Sequence, residues 1–426
     1  MIPEFTDDFF CINSVHGFLP IHDPIHVLPP HYHLLQDTLD NLPSLIQKLS
    51  STAFRGYIND TLPPYITDIE KETDTRLIVA LYRGYCFLSS AYVLHSAYEY
   101  FIVHNEYGLA HPHLTEVLAA PLVFLAQKLG VHPWLEYSYG YALGNYVRID
   151  PDGTLNYDNL NMANRFTNTK DETGFIMVHV DINQFTPQMI RCCDAILSKK
   201  YVNENPHDDL VQLISVLEQM NHARRKMWVA SDSNNYDDFR VFIMGIEGNT
   251  AIFPNGLTYG DEAEPRFYRG QSGSQDSIIP FLDNFFRVCD YYPSNELTEY
   301  LYDMRRYRPK PFRDLLDWIH RHTIDIIPWI LSFPSNADVL YKVYREIYRF
   351  RHGHWRFVQK YIMRNTKYPI ATGGTPIISW IPNQIVATID AMKVTHHDDI
   401  PILEASLQQD VQSLCQGRDI FQNDDS

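Results

Sequence analysis

The sequence predicts a mainly α-helical protein, and three observations carry the prediction. Apolar residues recur at steps of three and four in Leu210, Leu213, Leu217 and Met220, and again in Val339, Val343, Ile347, Phe350, Phe357 and Tyr361 with His354 among them. That spacing lines one face of a helix. Leu77 to Val103 is long and apolar. No convincing run of strands and no internal repeat is present.

At 426 residues, 45% of them hydrophobic, the chain exceeds the usual size of one compact core. Two domains are expected, a small N-terminal one over 1–166 and a large helical one over 167–426. The division falls in the polar stretch Thr154–Glu172, just after the turn sequence DPDG at Asp150–Gly153.

In chain order, the first 65 residues are rich in Pro and His, as in HDPIHVLPPHYH. Such density favours irregular or extended backbone with short helices. Leu77–Val103 carries Arg83, His95, Glu99 and several Ser and Tyr residues. A membrane-spanning helix rarely holds so many polar groups, so this is a long buried helix. Thr115 is a candidate N-cap for the next helix and Gly130 its C′ residue, with Pro121 inside to kink or restart it. A helical period resumes at Gly174 and again over Asp208–Met227. Asn249–Ser277 is glycine-rich and loop-like, while Asp276–Tyr292 and Asn295–Met304 return to helix. Ser335, after Pro334, starts the last long helix.

The formal net charge of −17 opposes sequence-independent nucleic-acid binding and docking to an anionic membrane. Cys11, Cys86, Cys192, Cys193, Cys289 and Cys415 form no CxxC pair. They read as reduced thiols of a cytoplasmic protein, with no zinc site, iron–sulfur site or disulfide frame. The start MIPEFTDDFF lacks the basic and apolar segments of a signal peptide. With 28 Tyr and 23 Phe, the rings either fill an aromatic core or line the pocket of a flat apolar cofactor.

Few residues are candidates for chemistry. His354, on an apolar helical face, is either a core histidine satisfied by its neighbours or an axial haem ligand. Gly353 beside it costs helix stability and marks the close approach of some partner. Arg240, in DDFRVFIMGIEGN, needs an anion, which a ligand carboxylate or a structural salt bridge would supply. The small-residue segments RGQSGS (Arg269–Ser274) and ATGGTP (Ala371–Pro376) are ordinary turns or backbone cradles for a ligand, and neither ends as a phosphate-binding P-loop does. His179, in GFIMVHVDINQF, faces a pocket or the core.

These segments then assemble. In order and spacing, LTEVLAAPL, LGVHPWLEYSYGYALGNY, GFIMVHVDI, FRVFIMGIEGNTAIFPNGLTYG, YRGQSGSQDSIIPFLDNFF, YDMRRYRPKPFRDLL, RFRHGHWRFVQKYI and ATGGTP resemble the indoleamine 2,3-dioxygenase family, haem enzymes of the kynurenine pathway. The resemblance implies haem b as cofactor, and dioxygen and a small indole as partners. It implies insertion of both oxygen atoms across the indole C2=C3 bond of L-tryptophan or a related indoleamine, giving N-formylkynurenine, in a cytoplasmic monomer. The small N-terminal domain would cover the distal side of the haem, and the larger domain would supply the proximal ligand.

Residue by residue, the resemblance implies His354 as the iron ligand, and Arg351 near the haem propionates with Asp283 as its carboxylate partner. Arg240 matches the arginine that holds the substrate carboxylate. Ser272 and Gly273 match the distal loop, Thr372 the mobile-loop threonine near the substrate ammonium, and Ser138 and Tyr236 fall at substrate-contacting positions. Asn235 and Tyr236 stand where the mammalian enzymes place two phenylalanines, and the connection from Ile362 to Ala371 is shorter than theirs. His179 stands in place of their distal serine, as a catalytic candidate. The related tryptophan 2,3-dioxygenases use a distal histidine, and some molluscan myoglobins resemble this family. A different indole substrate and a non-catalytic oxygen carrier therefore stay open at this point.

Overall fold

Thr75–His104 is the central helix of the protein, and its sequence explains why. Every residue from Leu77 to His95 is buried. Length and composition alone would let this helix cross a membrane, but its most apolar window lies wholly inside the protein. An all-round apolar helix takes that place in a folded core. The Asp74 carboxylate caps its start, and Asn105 ends it in the left-handed conformation with φ 53°. Arg83 is buried within it and donates to Asn164 Oδ1 and Gly144 O at 2.7 Å and to Ile25 O at 2.6 Å. That one guanidinium ties three distant segments to the helix.

The computed structural model describes residues 1–363, 370–374 and 377–415, and it is mainly α, as expected. Strand is confined, among these residues, to three two-stranded pairs: Phe5–Thr6 with Cys11–Ile12, His113–Leu114 with Thr258–Tyr259, and Tyr146–Arg148 with Leu160–Met162. The DPDG turn closes with Gly153 N donating to Asp150 O at 3.0 Å. Cys11, Cys86, Cys192, Cys193 and Cys289 are buried free thiols. Most buried apolar side chains from Phe9 to Leu407 join in one cluster, and Tyr300, Met304 and Tyr307 form a small second one.

The Pro/His-rich start departs from expectation. It contains a 16-residue helix, His33–Lys48, that runs through Pro43. Leu35, Leu39, Leu42 and Ile46 form its buried stripe, and Leu39 fits against Gly84 of the central helix, where a Cβ would come within 2.8 Å of its Cδ1. Packing outweighs the local cost of proline. Glu116–Leu129 likewise continues across Pro121 and ends at Gly130 with φ 66°. Helices at Thr186–Val202, Lys310–His322 and Ile400–Cys415 lie beyond the predicted elements.

Five helices position the site: Lys170–Asn183, His207–Arg225, Ile278–Phe285, Ala337–Val358 and Ile377–Met392. Ala337–Val358 packs between His207–Arg225 and Ile377–Met392. Its apolar stripe includes Val339, Val343, Ile347, Phe357 and Val358, and Arg351 and His354 lie on successive later turns that reach the cavity.

Candidate active site

One large interior cavity opens where these helices converge. Its enclosed space is about 260 Å³. Phe175, Phe350, Phe357, Val358, Tyr361 and Ile362 contribute much of its apolar wall.

His354 stands on that wall. Its ring is exposed by accessible area, but the space it meets is the cavity. Enclosure among protein atoms pushes its pKa down to about 4, with nearby His179 and Arg224 acting in the same direction. It is thus a neutral imidazole, the form that ligates metals. No described residue hydrogen-bonds to its ring. The satisfied-core reading of His354 therefore fails. Among the described residues no three His, Cys, Asp or Glu side chains converge to cage a metal ion. The single imidazole of His354 and the apolar walls would suit an iron carried in a macrocycle. His352 turns elsewhere: its Nε2 lies 3.1 Å from Asp410 Oδ2.

The close partner of Gly353 is Arg224. A Cβ there would stand 1.9 Å from Nη1 of Arg224, so the glycine makes room for a guanidinium of the neighbouring helix. Arg224 also lines the cavity. Burial, then the charges of Arg225 and Arg356, push its pKa down to about 10.

Arg351, one turn before His354, forms a buried fork with Asp283. Nη1 donates to Asp283 Oδ1 at 2.8 Å and Nη2 donates to Oδ2. Thr388 Oγ1 accepts Nη1 at 2.8 Å, and Tyr292 donates its hydroxyl to Asp283 Oδ2. Removing water from this pair is offset by the two-pronged geometry and the extra hydrogen bonds.

His179 and the Ser272–Gly273 loop belong to the same cavity wall. His179 Nδ1 lies 3.0 Å from Phe175 O. A carbonyl only accepts, so Nδ1 carries the proton. Burial lowers the pKa of this ring, leaving Nε2 as a lone-pair acceptor. Nε2 faces the loop, 3.9 Å from where a Cβ on Gly273 would be. Behind it, Asn183 donates to His179 O and to Asp276 Oδ2, both at 2.9 Å. Tyr236 lies on the wall, its ring 5.0 Å from that of Phe175. Asn235 instead donates to Asp171 Oδ2 at 2.9 Å.

Thr372 reaches the wall through close backbone packing. A Cβ on Gly270 would fall 2.3 Å from Gly245 N and 2.7 Å from Thr372 O, and one on Gly374 (φ 88°) 2.2 Å from Glu247 O. Gly270 and Gly374 are thus needed where three backbone segments meet. Thr375 and Pro376 of ATGGTP, and 364–369 of the shortened connection, lie outside the described residues.

Two expected residues are absent from the wall. Ser138 sits in the buried π-helical turn Tyr137–Tyr141, its N–H donating to Glu136 Oε2 at 2.6 Å. Arg240 is fully buried behind Tyr236. Its Nη2 donates to Ile370 O at 2.8 Å, and its Nη1 lies 3.3 Å from the Tyr107 hydroxyl and 3.6 Å from Asp237 Oδ1. A buried guanidinium must be paired, and here neighbouring protein groups do the pairing. Arg224, Asp276 and Gln384, which pattern reading missed, are on the wall. Arg224 sits in the basic run HARRK, which reads as a solvated helix end. Gln384 carries little signal, since it follows another amide, Asn383, just before the apolar Ile385–Ala387.

Oxygen-handling haem proteins hold their iron by one imidazole in an apolar pocket, and His354 with these walls could hold the haem of a dioxygenase. The chain belongs to the indoleamine 2,3-dioxygenase family, whose model matches residues 6–379. The indoleamine 2,3-dioxygenase of Saccharomyces cerevisiae is 26% identical over 375 residues, covering 83% of this chain and 79% of the yeast protein. Indoleamine 2,3-dioxygenase 2 of Homo sapiens is 26% identical over 364 residues, covering 83% of each chain. A 6-hydroxytryptophan 2,3-dioxygenase of Fusarium equiseti is 26% identical over 377 residues, covering 84% of this chain and 85% of its own. The protein is an oxidoreductase of tryptophan catabolism.

Proposed function

We propose that the protein binds haem b through His354 and inserts both atoms of dioxygen across the indole C2=C3 bond of L-tryptophan or a related indoleamine, giving N-formylkynurenine. The unpaired, neutral imidazole of His354 on the wall of a large apolar cavity is the observation that carries this reading. Haem, when bound, supplies the iron that holds dioxygen and makes it reactive toward the indole ring.

The chain's own residues do the rest. His354 offers its lone pair, and Arg351 with Asp283 closes the adjacent edge. Phe175 and Tyr236 keep water from the indole and hold its plane. His179 Nε2 accepts the indole N–H and so fixes which edge of the ring faces the oxygen. Ser272, Gly273 and Thr372 border the amino-acid end of the substrate. Arg240 is one helical turn from Tyr236 and bonded to Ile370, two residues before Thr372. It takes the substrate carboxylate in exchange for a protein acceptor.

The test is an absorption spectrum and a product assay on purified protein. Stoichiometric haem, a Soret band that shifts with L-tryptophan, and N-formylkynurenine formation are expected. His354→Ala should lose stoichiometric haem, whereas His352→Ala should keep it. Unchanged haem content in His354→Ala would sink the assignment.

A further inference from the structure

Gln384 lies on the helix Ile377–Met392 and on the cavity wall. It is 7% exposed, and among the described residues neither its amide oxygen nor its amide nitrogen has a hydrogen-bond partner. An amide buried unpaired at both ends is destabilising, and folded proteins rarely keep one without a use.

Its position indicates the use. The Gln384 backbone carbonyl accepts the Thr388 hydroxyl at 2.9 Å, and Thr388 Oγ1 accepts from Arg351 at 2.8 Å. Residues four apart share a helix face, so the Gln384 side chain stands on the wall that carries Arg351 and Asp283. Arg351 has both arms on Asp283, and the pair is close to neutral. A ligand carboxylate arriving there still needs a donor, and the Gln384 NH2 is such a donor. This wall adjoins the helix of His354. An indole substrate belongs on the opposite side, toward His179, so the carboxylate in reach is the cofactor's.

We propose that Gln384 is a haem-binding residue whose NH2 donates to a propionate carboxylate beside the Arg351–Asp283 pair. This rests on the haem reading above.

The test compares haem with its dimethyl ester, in which both carboxylates are blocked. Each is loaded into full-length wild-type protein and Gln384→Leu, and its release to an excess of a haem-scavenging apoprotein is timed. Gln384→Leu should release haem roughly tenfold faster, the scale of one hydrogen bond to a charged group. The difference should vanish with the ester. The variant's apoprotein should melt no lower than wild type, because an unpaired amide has been replaced by an apolar chain of similar size. Equal acceleration for haem and ester would make Gln384 a packing residue and overturn the proposal. Unchanged release with weaker L-tryptophan binding would overturn it too, by moving the amide to the substrate. Wild-type protein that takes up no haem would instead overturn the haem reading itself.

Discussion

Arg224 lays its guanidinium on Gly353, the residue beside His354, at a distance that leaves no room for a Cβ. Gly353→Ala sets two effects against each other. Alanine is favoured over glycine in a helix interior by about 1 kcal/mol, but Arg224 must move, and the open side is the cavity. The apoprotein should keep its stability to within about 1 kcal/mol while haem binds more weakly. Chemical denaturation and haem titration read the two effects separately, and wild-type haem affinity would show that Arg224 finds another place.

Arg240 is a second test of the site. Removing it leaves Asp237 buried without its cation, and loss of one partner of a desolvated pair costs about 2–5 kcal/mol. Arg240→Ala should therefore lower the unfolding midpoint, keep bound haem, and reduce kcat/KM for L-tryptophan by an order of magnitude or more. A variant that is destabilised but retains kcat/KM would make the arginine purely structural.

His179 offers an acceptor to the cavity because its Nδ1 proton is held by Phe175 O. His179→Ser should reduce tryptophan turnover by well under a thousandfold. It should also improve 1-methyltryptophan relative to tryptophan, since the methylated ring has no N–H to give. If the variant changes only the rate of dioxygen loss, with no shift in indole preference, the ring serves the gas rather than the substrate.

Glu136 makes stability depend on pH. Burial lifts its pKa from 4.5 to about 7, against the pull of the N–H groups of Ser138, Gly140 and Tyr139. A carboxyl with a raised folded pKa holds its proton more tightly in the native state. Its contribution is fully present below the unfolded pKa and is lost as pH rises from about 4.5 to about 7, a change of roughly 3 kcal/mol. Glu136→Gln should flatten the urea midpoint across that window. An unaltered slope would place the dependence on another group.

The sequence alone determined the helical class, the buried central helix, the helix of His354 and the order of motifs that marks the family. These follow from periodicity and length, which are local properties of the chain. Tertiary structure decided the rest. Pro43 stays helical because Leu39 packs on Gly84, and Gly353 answers to Arg224. Arg240 lies behind the wall because Ile370, 130 residues away, accepts its Nη2. Gln384 looks like one of several polar residues in a mostly apolar helix until the fold sets it beside Thr388 and Arg351. The physical reason is common to all of these. A buried charge or amide is defined by what pairs with it, and those partners come from segments far apart in the chain that only packing brings together.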